Sequence, residues 1–102
     1  MINLDIDNIC SEVIKEYKEV DGQNYKEFLL SLLTHCKAIN AELYKKMKDN
    51  RLLEHATKTE FLIQKEYKKN KIDLHNITLL TEKVLEYYWL YGEITEGNQL
   101  DG

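Results

Sequence analysis

His35, His55, His75, Cys10 and Cys36 are the side chains of this chain best suited to hold a metal ion or attack a substrate. Spacing decides whether they can. A zinc site usually draws two ligands from one turn, as in CxxC or HxxxH. Here each histidine stands 20 residues from the next, and the cysteines are 26 apart. Di-iron bundles need Glu-x-x-His on two helices, and the pattern does not occur. His35 and Cys36 are neighbours, but on a helix adjacent residues point about 100° apart and do not share a proton easily. Two cysteines are too few for a disulfide framework, so both are expected reduced. No metal site, catalytic residue or cofactor is expected from this set.

The carboxylates offer a second route to chemistry. All-helical pyrophosphohydrolases gather metal with Glu pairs that face inward. Glu12, Glu16 and Glu19, and likewise Glu82 and Glu86, fall opposite the apolar stripes of their segments. That placement predicts a solvated face. Arg51 and His55 have three residues between them, one short of the Arg-x4-His ribonuclease pattern. There is no Gly-rich phosphate loop and no GxSxG.

The segments that must position these side chains are helical by pattern. Proline is absent from the 102 residues and only four are glycine, too little punctuation for an all-β chain. Ile6, Ile9, Cys10, Val13, Ile14, Tyr17 and Val20 recur at helical spacing. They predict a helix over about 5–21, capped by Asp5 or Asp7 and ended by Asp21-Gly22. Tyr25, Phe28, Leu29, Leu32, Leu33, Cys36, Ile39, Leu43 and Met47 predict a second helix over 24–48. Continued unbroken, that stripe would turn polar, so a break belongs near Asp49-Asn50; a single bent helix is the alternative. A third helix over 51–69 presents Leu52, Leu53, Ala56, Ile63 and Tyr67, interrupted at Thr59 and Glu60. A fourth, over 73–92, is capped by Asp73 and presents Leu74, Ile77, Leu80, Thr81, Val84, Tyr87, Tyr88 and Tyr91. Short connections favour an antiparallel up-down-up-down four-helix bundle over 1–96, with a flexible tail over 97–102.

Hydrophobic residues make up 43% of the chain, enough for one modest core. No window approaches a membrane span. The opening residues Met1 to Asp7 lack the basic and apolar regions of a secretory leader, so the expected location is the cytoplasm. Thirteen lysines against one arginine, with many Asn and Ile, suggest a low-GC bacterium, its phage or a mobile element.

The net charge of -4 is unevenly distributed. Residues 1–44 carry 8 acids and 4 lysines, residues 45–71 carry 9 bases and 4 acids, and residues 72–102 carry 6 acids and one lysine. Lys65, Lys68, Lys69 and Lys71 could contact an anion or an acidic partner. They also complement a helix C-terminus. A net-acidic chain with one arginine argues against nucleic acid, although a regulator using the 45–71 block stays an alternative.

Several apolar residues leave the stripes. Leu79 and Leu90 project nearly opposite Ile77, Trp89 follows Leu85 on the flank, and Phe61 and Leu62 leave the third stripe. Such residues together form an interaction patch, or else the fourth helix is central and buried on most sides. Trp89, Leu90, Leu85, Leu79, Phe61 and Leu62 are therefore the expected contact face for another protein or for a homodimer. In length, helical pattern and composition the chain resembles the immunity proteins that accompany class IIa bacteriocins. Small phage-encoded inhibitors share the same pattern. The resemblance rests on the whole-chain pattern and implies a bundle that acts by contact with a protein. The sequence thus points to a non-enzymatic inhibitor, immunity or adaptor protein. A metal-dependent helical hydrolase using clustered carboxylates is the other alternative.

Overall fold

Polar side chains, more than glycine, set the helix ends. The computed structural model describes residues 5–48 and 50–100, with side chains as far as residue 94. Four helices cover most of them: α1 (Ile6–Lys18), α2 (Tyr25–Met47), α3 (Asn50–Lys68) and α4 (Leu74–Leu100). No strand occurs among the described residues. Asp5 caps α1 by accepting from the Asn8 N–H at 3.1 Å, and Asp73 caps α4 by accepting from the Asn76 N–H at 3.1 Å.

The α1–α2 connection departs from expectation. Helix α1 stops at Lys18, and Gly22 is not left-handed. The Asp21 carboxylate instead accepts from Gln23 N–H and Asn24 N–H at 2.8 and 2.9 Å, while the Asn24 amide donates to the Glu19 carbonyl at 2.9 Å. Local side-chain bonds of this kind offer the backbone an alternative to another helical turn.

The break after α2 falls where the polar turn of the stripe predicts it. Lys48 adopts φ 52° and ψ 32°, and its N–H bonds to the Tyr44 carbonyl at 2.9 Å. This is the left-handed cap usually made by glycine, made here by a residue that pays a steric cost for it. Asp49 lies outside the described residues, and Asn50 is the first residue of α3.

Helix α4 runs well past the expected end at 92, through Gly92 and on to Leu100. The backbone of Gly92 is not left-handed, so nothing ends the helix there. The tail expected from 97 therefore begins inside this helix, and residues 101 and 102 lie outside the described residues.

The helices pack as an antiparallel bundle. Tyr17 of α1 bonds to Thr78 of α4, Tyr25 of α2 to the Lys69 carbonyl beyond α3, and Glu66 of α3 to Asn76 of α4. Each link joins the end of one helix to the beginning of its neighbour, or the reverse. Helices α2 and α4 touch along the bundle's diagonal, with α1 and α3 on opposite flanks of that pair. Leu29, Leu32, Cys36, Ile39 and Leu43 of α2 are essentially fully buried, with Val13, Ile63, Ile77 and Val84 packed in the same core. Met47 and Leu74, expected in buried stripes, are exposed instead. Each lies at a helix terminus, where less of a neighbouring helix is available to cover it. No helix among the described residues is long and apolar enough to cross a membrane.

Candidate functional site

The groups able to do chemistry are used to fasten helices together. Tyr87 and Tyr88 are adjacent on α4 and therefore reach different neighbours. The Tyr87 hydroxyl lies 2.7 Å from Thr59 Oγ1 and 3.0 Å from His55 Nδ1, and donates to the His55 carbonyl at 3.3 Å, all on α3. The Tyr88 hydroxyl lies 2.8 Å from His35 Nδ1 on α2. Both rings meet their histidine edge to face. Burial pushes the Tyr87 hydroxyl above its usual range and the Tyr88 hydroxyl up to about 12, so both stay protonated near neutrality. Burial lowers the His35 pKa, an effect opposed by Glu16 and Glu12 on α1.

The thiols are similarly quiet. Burial, reinforced by Glu60, pushes Cys36 up to about 12, and burial followed by the charge of Asp7 raises Cys10. A thiol with a raised pKa carries little thiolate and is a poor nucleophile. Cys36 Sγ points at the Ala56 carbonyl 3.8 Å away and helps fill the α2–α3 interface.

The carboxylates divide into two groups. Glu16, Glu19 and Glu27 line a shallow recess of about 240 Å³ between α1 and α2, with Asn24, Phe28 and Ser31. Ser31 donates to Glu16 there at 3.1 Å. Among the described residues, no three or more His, Cys, Asp or Glu side chains stand close enough together to hold a metal ion. Glu66 is different. It is buried, and its Oε1 accepts from Lys69 Nζ at 3.0 Å and Asn76 Nδ2 at 3.1 Å. Its other oxygen is buried without a hydrogen bond.

The expected contact residues do not form one patch. Phe61 is 63% exposed, Trp89 50%, Leu79 47% and Leu62 46%. Leu85 is only 6% exposed, so it leaves the set: about 80° from Ile77 on the helical wheel, it belongs to the buried arc of α4. Leu90 is partly buried and packs against the core. Around α4, Leu79 and Leu90 turn toward the α3 flank, whereas Trp89 turns toward the α1 flank. The bonds from Asn76 and Tyr87 to α3, and from Thr78 to α1, fix which flank is which. Tyr44 is also exposed, a residue the stripe analysis passed over.

Lys65, Lys68, Lys69 and Lys71 gather at the C-terminal end of α3. Lys69 is bound to Glu66, and all four lysines are exposed. Lys26 joins them from α2, donating to Asn70 at 3.3 Å and lying 5.3 Å over the Tyr67 ring. It is distant in sequence, and only the antiparallel pairing of α2 with α3 brings it there.

Comparison with known protein families, with characterised proteins and with solved structures gives no significant match.

Proposed function

We propose that the chain works by stoichiometric contact with another protein, as an inhibitor, immunity or adaptor protein. The observation that carries this reading is the half-exposed indole of Trp89 on a bundle whose thiols and four of whose seven tyrosines, Tyr25, Tyr87, Tyr88 and Tyr91, are buried in the core. Tryptophan is the residue most enriched at binding hot spots, because it buries a large area for little conformational entropy. Glu82 and Glu93 lie on the same side of α4, one or two turns away along the helix. An apolar anchor with an acidic rim fits a partner that offers an apolar pocket bordered by Lys or Arg. The rim would set orientation and association rate, and the anchor most of the affinity. The exposed lysines at the C-terminal end of α3, at the opposite end of the bundle, would add a second orienting contact for an acidic segment of the partner.

Trp89 is the one tryptophan of the chain, so its fluorescence reports directly. A partner captured by the wild-type protein and then purified should blue-shift the emission and titrate in a fixed ratio. Trp89→Ala should keep its helicity and weaken binding about 30-fold or more, the effect of losing roughly 2 kcal/mol at a hot spot. A folded Trp89→Ala variant that binds every native partner as tightly as the wild type would end this reading.

A further inference from the structure

We propose that the outward ridge of α3 rests on an anionic phospholipid surface, with Phe61 and Leu62 entering the headgroup layer and the lysines around them meeting the lipid anions. This goes beyond the contact proposed for Trp89, on the α1 flank of α4, and does not depend on it. The lysines at the end of α3 are open to a partner's acidic segment only while the chain is off the bilayer.

Helices α1 and α3 lie on opposite flanks of the α2–α4 pair, so α3 forms one long edge of the bundle. On the helical wheel Phe61 points almost directly away from the buried row of Ala56, Thr59, Ile63 and Glu66. It is also the most exposed large hydrophobic residue among those described, and Leu62 beside it is exposed too. Lys58, Lys65 and Lys68 stand within two turns of the pair, and Lys69 and Lys71 follow. Between Lys58 and Lys71 the chain has two acids, and neither faces outward. Glu66 is buried against Lys69 and Asn76, and Glu60 is half-buried toward α2, where it accepts from Asn40 at 2.7 Å.

The neighbouring helices extend the positive field. Lys37 of α2 and Lys83 of α4 are exposed on the sides turned toward α3, within about a turn of the level of Phe61. The remaining acids are spent or displaced. Asp73 caps α4, and Glu27 lines the recess toward α1. Glu54 and Glu86 are exposed, but both lie toward the N-terminal end of α3, at or beyond the level of Lys58. The ridge from Lys58 to Lys71 is therefore cationic around an apolar centre.

Three features select a bilayer as its occupant. The ridge is convex, the outer side of a single helix. A peptide buries its anchors in a groove or along a sheet edge, whereas a flat headgroup layer receives a ridge. The charge is all lysine, a hydrated point charge on a long stem that can lie along Phe61 and still reach a headgroup. Finally, α1 on the opposite edge exposes Asp7, Glu12 and Glu16 against Lys15 and Lys18. An anionic surface would turn such a molecule with α3 toward it. Two apolar residues and a lysine cluster give reversible association.

Flotation at low salt with phosphatidylcholine vesicles containing about one-third phosphatidylserine tests the proposal. The wild type should float with them, stay behind with pure phosphatidylcholine, and dissociate as salt is added. Phe61→Ala should weaken binding about tenfold. Lys65→Gln combined with Lys68→Gln should weaken it about 25-fold, at about fivefold per charge. All three side chains are exposed, so the circular dichroism spectra should not change. Phe61→Trp in a Trp89→Phe background should shift its emission to the blue on the vesicles, while the emission of Trp89 in the wild type stays in place. A wild type that never floats at low salt would overturn the proposal, as would binding indifferent to these substitutions. A Phe61→Trp emission that moves with soluble polyglutamate and not with vesicles would assign the ridge to an acidic protein segment instead.

Discussion

Helix α4 meets its neighbours in two different ways. Toward α1 and α2 it presents Ile77, Val84 and Leu85, in a core with Val13, Leu29, Leu32 and Cys36. Toward α3 it presents hydroxyls and amides. Tyr87 meets Thr59 and His55, and Asn76 meets Glu66, which also holds Lys69. The first contact is mainly apolar, its strength growing with buried area, and adds two hydroxyl bonds, Tyr17–Thr78 at 2.6 Å and Tyr88–His35 at 2.8 Å. The second is directional: a hydroxyl 2.7 Å from its partner accepts little displacement. The lesson is a division of labour. Apolar burial supplies most of the stability, and the polar seam sets the register of α3 against α4.

The largest expected effect tests the mainly apolar side. Leu32 is fully buried, and Leu32→Ala should cost about 3 kcal/mol, read as a lower urea midpoint with an unchanged slope. On the polar side the cost should be smaller and cooperative. Tyr87→Phe removes one oxygen and with it the bonds to Thr59 Oγ1 and His55, leaving Thr59 Oγ1 bonded to the His55 carbonyl alone, at about 1 kcal/mol. Adding Thr59→Val removes the other partner of the same bond, so the double variant should lose less than the sum of the singles. If the two losses simply add, the seam is not a coupled network and the contrast with the apolar side fails.

The apolar side was largely legible in the sequence, and the seam was not. Cys10, Val13, Leu32, Ile39, Ile77 and Val84 follow the helical repeat, and all are buried. On α3 the same rule misleads. Thr59 looks like an interruption of the stripe, yet it is buried, and the charged Glu66 is buried too. A hydropathy pattern scores each residue by its own side chain, whereas Thr59 and Glu66 are buried because Tyr87 and Asn76, on another helix, supply bonds to them. Nothing local signals that pairing. For the candidate contact surface, Trp89, Leu79, Phe61 and Leu62 were legible as exceptions to their stripes. Leu85 was not, because its place at the edge of the α4 arc becomes buried only once α1 has docked. The end of α1 was missed for a related reason: Asp21 and Asn24 hold the chain by their side chains, a role that spacing does not reveal.

The histidine on the mainly apolar side gives a pH test of the same contrast. Burial lowers the folded-state pKa of His35 below its unfolded value near 6.5, with Glu16 and Glu12 opposing the shift. The native state therefore binds fewer protons than the unfolded chain in this range. The contribution of neutral His35 is fully present above about pH 6.5 and is lost as the pH falls through the lower folded value. Denaturant midpoints measured from pH 7 to pH 5 should fall. Replacing His35 with Gln should remove that part of the fall. An identical pH profile in the variant would mean that His35 does not couple protonation to folding.

The smallest expected effect concerns neither side of α4 but the turn that lets α3 reach it. Lys48 is the one non-glycine residue with positive φ among the described residues, at 52°. A left-handed conformation costs an ordinary L-residue about 1–2 kcal/mol, and glycine adopts it without that cost. Glycine also loses more chain entropy on folding, roughly 0.5–1 kcal/mol, which offsets part of the gain. Lys48→Gly should therefore stabilise the protein by about 0.5 kcal/mol, visible as a small rise in Tm. The lysine side chain is exposed, so its removal sacrifices little packing. The sign is the informative result. Stabilisation would show that the bend between α2 and α3 is dictated by packing, with Lys48 yielding to it. Destabilisation would show that the Lys48 side chain helps to make the bend, and the register of the polar seam would then be set from the turn as well as from Tyr87.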